Sequence, residues 1–199
     1  VAKMKTGTII QAGLWAMVAL VAGALAFTYL SISRQGGAAD APYGTPFTLV
    51  DQNGEPFASS KLSGKPFALF FGYTHCPDVC PTTLYELASH QQAIEAEGGD
   101  FRIVFVTVDP ARDTPGVLKE YVEAVSPQIV ALTGDQADVA KMAKGWGAFF
   151  RKSGEGEDYL MDHTATTFLI DEDGRLAGTI AYGEDPETVT AKLERLAGV

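Results

Sequence analysis

The chain has 199 residues, 46% of them hydrophobic, which suits one membrane segment plus one globular domain and excludes a disordered polar tract. Its formal charge of −10 is unevenly spread: residues 1–34 carry Lys3, Lys5 and Arg34 and no acid, so the remainder sets 12 bases against 25 acids, a net of −13. Such a domain repels nucleic acid and favours a basic partner or a cation, unless the charge is simply solvated surface. Two cysteines in this length do not make a disulfide scaffold.

Ile9 to Leu30 is almost wholly apolar, with Gln11 and Thr28 as its main polar breaks. At about 1.5 Å per residue it is predicted to span a hydrocarbon core of about 30 Å. Lys3 and Lys5 before it place residues 1–8 in the cytoplasm and the domain on the exported, periplasmic or equivalent, side. The expectation is therefore a single-pass membrane protein: an anchor over 9–30, a tether over 31–43, and a domain over 44–199. A cleaved signal peptide is the competing reading, because Ala24-Leu25-Ala26 has the small-x-small form of a cleavage site. The flexible part of the tether runs from Gln35 to Tyr43, with Gly36-Gly37 and Pro42.

Two short strands, Phe47–Val50 and Glu55–Phe57, flank the Asn53-Gly54 hairpin signal. An apolar strand at 67–72 leads into Thr74-His75-Cys76-Pro77-Asp78-Val79-Cys80-Pro81, and a helix follows from about Pro81 to Glu97. Phe101–Val108 reads as a buried strand. Thr114 caps a helix with Pro115 at its first position. A strand over 129–132 and a helix over 136–144 come next. Two irregular strands are expected over 146–161, then a hairpin (166–171 with 176–181) and a closing helix over 186–196. Strands separated by helices imply a mainly parallel sheet, giving a thioredoxin-like α/β sandwich with an N-terminal β-hairpin. In open sheets of this kind sites gather at the carboxyl ends of strands, where Cys76 and Cys80 lie.

Two thiols at a helix start are favoured as thiolates, and the pair either forms a disulfide or holds a soft metal. Three ligands suffice for Cu(I), so a third donor is sought among His75, His90, His163, Met142 and Met161. His90 has polar neighbours and suits solvent. His75 adjoins Cys76, where side chains usually diverge. Met142 suits the core, and Met161 the core or the surroundings of the site. His163 precedes the strand beginning at Thr166, and in a thioredoxin-like fold that approach loop faces the thiols. Asp78, between the cysteines, either caps the helix or tunes the site's charge and meets a partner. A structural zinc site is disfavoured, since it normally takes four ligands.

The blocks THCPDVCPTT at 74–83, VTVDPARDTP at 106–115 and YLMDHTATTFLID at 159–171 together resemble the SCO/SenC family of copper-handling, thioredoxin-fold proteins, over roughly residues 43–198. The resemblance implies that Cys76, Cys80 and His163 bind copper as Cu(I) and Cu(II). It implies a chaperone that delivers copper to the CuA site of cytochrome c oxidase subunit II, with Asp78 in redox and partner contacts. Another copper chaperone or a thioredoxin-like reductant would be a further partner. Asp109, Arg112 and Asp113 are expected only to make loop hydrogen bonds beside the site. General thioredoxin-like reductases carry C-x-x-C and a cis-proline before the strand corresponding to 166–170. This chain has C-x-x-x-C and Ala165 there, which favours ligation over turnover. The alternative function is a thiol–disulfide oxidoreductase acting on CuA or other exported cysteines, for which both cysteines are essential and His163 is dispensable. On the first reading the protein is a carrier and not an enzyme.

Overall fold

A computed structural model describes residues 6–34 and 42–199, and the chain divides into two units at residue 42. Most of the expected tether therefore lies outside the described residues. The first unit contains one helix, α1 (Thr6–Arg34). The membrane anchor expected over 9–30 is not upheld: among the described residues no helix is long and apolar enough to cross a membrane. The single-pass placement of the domain rested on that anchor and falls with it.

The second unit is a thioredoxin-like α/β sandwich. Its elements in order are β1 (Thr48–Asp51), β2 (Pro56–Ala58), β3 (Phe67–Gly72), α2 (Val79–Ala96), β4 (Arg102–Thr107), α3 (Pro115–Glu123), β5 (Val130–Thr133), α4 (Gln136–Gly145), β6 (Phe150–Ser153), β7 (Leu160–His163), β8 (Thr166–Ile170), β9 (Leu176–Ala181) and α5 (Pro186–Ala197). Seven strands form one sheet in the order β2-β1-β5-β4-β3-β8-β9, and β6 pairs with β7 apart from it.

The sheet is mixed, which corrects the mainly parallel arrangement expected. Only β3–β4 and β4–β5 are parallel, while β1–β2, β1–β5, β3–β8 and β8–β9 are antiparallel. Helical crossovers enforce parallel pairing only where strand, helix and strand alternate without interruption, as from β3 through β5. The N-terminal hairpin and the β6–β7 excursion break that alternation, so both flanks add antiparallel strands.

All six residues of β3 are buried, as are Ile103 to Thr107 of β4. Fully burying a Leu, Val or Phe side chain contributes about 1.5–3 kcal/mol, so this paired centre is the rigid part of the domain. The α2 helix lies against it through Leu84, Leu87, Gln91 and Ile94, spaced three or four apart. Gln91 is satisfied by donating to the Phe101 carbonyl at 2.6 Å. The thiol loop thus springs from the most strongly held strand, and Gly72 at its root fits Cys80 closely. A Cβ on Gly72 would stand 2.9 Å from the Cys80 Sγ and 2.7 Å from the Phe105 ring.

Candidate metal centre

Backbone geometry brings the two thiols together. Cys76 follows a turn in which its N–H donates to the Tyr73 carbonyl at 3.3 Å. Cys80 falls inside the first turn of α2, which begins two residues earlier than its apolar spacing suggests. Its N–H donates to the Cys76 Sγ at 3.4 Å, so an otherwise unsatisfied N–H of the helix start faces sulfur. Both cysteines are free thiols; Cys76 is half-buried and Cys80 buried.

His163 ends β7 and reaches the pair from the other end of the sequence. Its Nε2 lies 3.5 Å from the Cys80 Sγ. The Nδ1 is 3.0 Å from the Thr164 carbonyl, an acceptor only, so Nδ1 carries the proton and donates. Nε2 is then left as a lone pair aimed at the thiols, the arrangement a ligating imidazole needs. Phe70 and Tyr73 meet the imidazole edge-on, with ring centroids at 5.9 and 5.8 Å, and restrict its rotation.

One donor atom from each of Cys76, Cys80 and His163 lies within 4.8 Å of the other two. Three N or S donors at about 2.0–2.3 Å from a first-row ion stand roughly 3.5–4 Å apart in a trigonal array. The set fits a soft ion after a contraction of at most about an ångström.

The two thiols differ sharply in acidity. A hydrogen bond from the Cys80 thiol, joined by backbone donors, lowers the Cys76 pKa to about 4 despite partial burial. Cys80 moves the opposite way, because it gives its proton to Cys76 and is buried. The pair therefore loses its first proton from Cys76 and holds the second tightly until a cation replaces it.

The other candidate ligands lie elsewhere. His75 is exposed, its Nδ1 3.0 Å from the Thr74 hydroxyl. His90 sits half-buried on α2, while Met142 and Met161 belong to the core. Asp78 stands just before α2, yet its side chain makes no cap hydrogen bond. Its carboxylate instead accepts from the hydroxyls of Thr82 at 3.4 Å and Tyr182 at 3.5 Å, and it is exposed beside the thiols.

Asp113 and its neighbours do more than the sequence reading expected of loop residues. The Asp113 side chain is fully buried. Its Oδ2 accepts from the Thr74 N–H at 3.0 Å and the Thr107 hydroxyl at 2.5 Å, and its Oδ1 from the Thr74 hydroxyl at 2.5 Å. Thr74 is two residues from Cys76, so this carboxylate braces the thiol loop. Burial pushes the Asp113 pKa up, and the threonine donors work against that. The visible signal was two acids in a short loop after a nearly all-apolar strand; what they bond to was not visible.

A thioredoxin-like domain with two thiols at a helix start and an imidazole turned onto them defines a metal-handling class of that fold. The model of the family described as SCO1/SenC matches residues 35–198, and the chain belongs to that family. It is 40% identical over 135 residues to the SCO2-like protein RP587 of Rickettsia prowazekii, covering 66% of each chain. It is 36% identical over 154 residues to the mitochondrial protein SCO2 of Saccharomyces cerevisiae, covering 75% of this chain and 51% of that one. The chain thus spans about two thirds and one half, respectively, of these relatives. Among solved structures, Bradyrhizobium japonicum ScoI with copper bound is similar at a TM-score of 0.70 and 41% identity, covering 77% of this chain and 99% of that one. Yeast Sco1 with copper bound is similar at 0.72 and 33%, covering 78% and 88%.

Proposed function

We infer that this protein is a copper-binding chaperone of cytochrome c oxidase assembly that holds its cargo through Cys76, Cys80 and His163. The observation that carries this reading is the convergence of two thiols and an oriented imidazole within 4.8 Å, from segments more than 80 residues apart. Similar proteins with copper bound support the choice of metal. Thiolates select Cu(I), and the imidazole makes a mixed donor set that also accommodates Cu(II). Cys76, already a thiolate at neutral pH, captures the ion first. Cys80 gives up its proton as the second sulfur binds, so loading releases a proton. The delivery site we propose is CuA of subunit II, with a second copper chaperone or a thioredoxin-like reductant upstream.

The unequal acidity of the two thiols favours a second reading, reduction of a target disulfide. The Cys76 thiolate attacks one target sulfur, forming a mixed disulfide and releasing a target thiolate. Cys80, once deprotonated, attacks the Cys76 sulfur, closes the Cys76–Cys80 disulfide and releases the second thiolate. Two electrons pass to the target. Incubating the loaded domain with an apo CuA fragment separates the readings. The carrier predicts copper in the CuA fragment from the reduced, loaded domain and none from a domain whose thiols were oxidised before loading. Reduction of the CuA cysteines without net metal movement would replace the carrier by the reductase.

A further inference from the structure

The hairpin that carries His163 is not part of the main sheet, because β6 and β7 pair only with each other. At its base it is held by the chain itself, which runs through Thr164 and Ala165 into β8, and by two bonds between Phe149 and Thr164 at 2.9 Å each. The far end, before Leu160, needs another tie to fix its angle, and the 109–113 loop provides one.

The buried Asp109 accepts from the Tyr159 hydroxyl at 2.7 Å and from Arg112 Nε at 2.5 Å. The Arg112 guanidinium lies 3.6 Å from the centre of the Tyr159 ring and donates to the Glu157 carbonyl at 3.1 Å. Arg112 therefore grips the hairpin at 157 and 159 through a ring face, a backbone carbonyl and a shared carboxylate. The Arg112 side chain is only 17% exposed and Asp109 is buried, so the carboxylate bonds at the centre of this group are largely shielded from competing water, while the bond to the Glu157 carbonyl is exposed. One residue further on, Asp113 holds Thr74 beside the thiols. The same five-residue loop thus touches both halves of the metal centre, one through each neighbouring side chain.

Resting on the copper-site reading above, we propose that Arg112, with Asp109 and Tyr159, is a positioning group that sets where His163 stands relative to Cys76 and Cys80. Arg112 touches neither metal nor donor atom and acts through the hairpin. Partners that orient a ligand typically contribute about 10–100-fold in metal affinity. Arg112→Met keeps the unbranched apolar stem of the side chain while removing its donors and charge.

The test is a double-mutant cycle on the full chain, with copper affinity read by competition against a chromophoric chelator. Arg112→Met alone is expected to weaken binding about 10–100-fold and to change the nitrogen hyperfine signature of bound Cu(II). In a His163→Ala background it is expected to cost less than about twofold further, because the ligand through which it acts is gone. Equal losses in both backgrounds, or an unchanged affinity and signature, would overturn the proposal. Amide hydrogen exchange in the metal-free protein supplies a readout independent of copper. The amides of residues 160–163 are expected to exchange faster in Arg112→Met while those of β3 and β4 do not; equal rates at 160–163 would count against the clamp. A wild-type chain that takes up no copper would sink the chaperone reading and leave the exchange measurement to decide the clamp.

Discussion

His163→Ala is expected to weaken copper binding by more than 100-fold while the domain stays folded. The lower bound follows because removing a ligand exceeds the roughly 10–100-fold that outer partners of a ligand command. The fold survives because His163 is half-buried and ends a strand outside the main sheet. Its edge contacts with Phe70 and Tyr73 are worth about 0.5–1.5 kcal/mol each, against a typical domain stability of 5–15 kcal/mol. Chelator competition and circular dichroism on the same samples check both halves of the statement. The loss should be concentrated in Cu(II), for which an imidazole is a better partner than for Cu(I).

Asp113→Ala is expected to be the most damaging of the polar substitutions to stability, costing about 3–5 kcal/mol. The alanine leaves the Thr74 N–H and the Thr74 and Thr107 hydroxyls without the acceptor they share, in the wall of the thiol loop. Asp113→Asn retains one carbonyl oxygen for the two donors now on Oδ2, and the Thr74 hydroxyl can turn to accept from the new amide. Its expected cost is about 1 kcal/mol or less. Urea denaturation of both variants measures the difference. The pH dependence follows from the raised Asp113 pKa. A carboxyl whose folded pKa lies above its ordinary value of about 3.8 contributes stability that is fully present below that value and lost as pH rises through the folded pKa. Asp113→Asn should therefore flatten the stability profile in the window just above pH 4.

The two halves of the metal centre differed in how far the sequence disclosed them. Strands β3 and β4 read plainly as continuous apolar runs, and the cysteine pair between β3 and α2 was visible as spacing. That His163 faces the thiols followed from fold logic and family likeness, since nothing in its immediate neighbours distinguishes a ligand from a core histidine. The clamp was not legible. Asp109, Arg112 and Asp113 meet Thr74, Thr107 and Tyr159, which are six to 50 residues away along the chain, and only tertiary packing decides that their charges are buried and shared. The sheet misled for a related reason: apolar runs between helices report burial, while strand direction depends on connections that periodicity does not record. The apolar stretch over 9–30 formed a helix as its composition suggests, but the anchor read from it did not stand. Asp78 had equal claims as helix cap and as a group that tunes the site's charge and meets a partner; its side chain makes no cap hydrogen bond and is exposed, bonded to Thr82 and Tyr182.

Copper stoichiometry in the dithiol and disulfide forms, measured side by side on one preparation, tests the central claim most directly. The account predicts about one copper per reduced chain, and none once Cys76 and Cys80 are joined, because oxidation removes two of the three donors. Copper retained at equal stoichiometry by the oxidised chain would contradict it, since the metal would then be held by something other than this thiol pair.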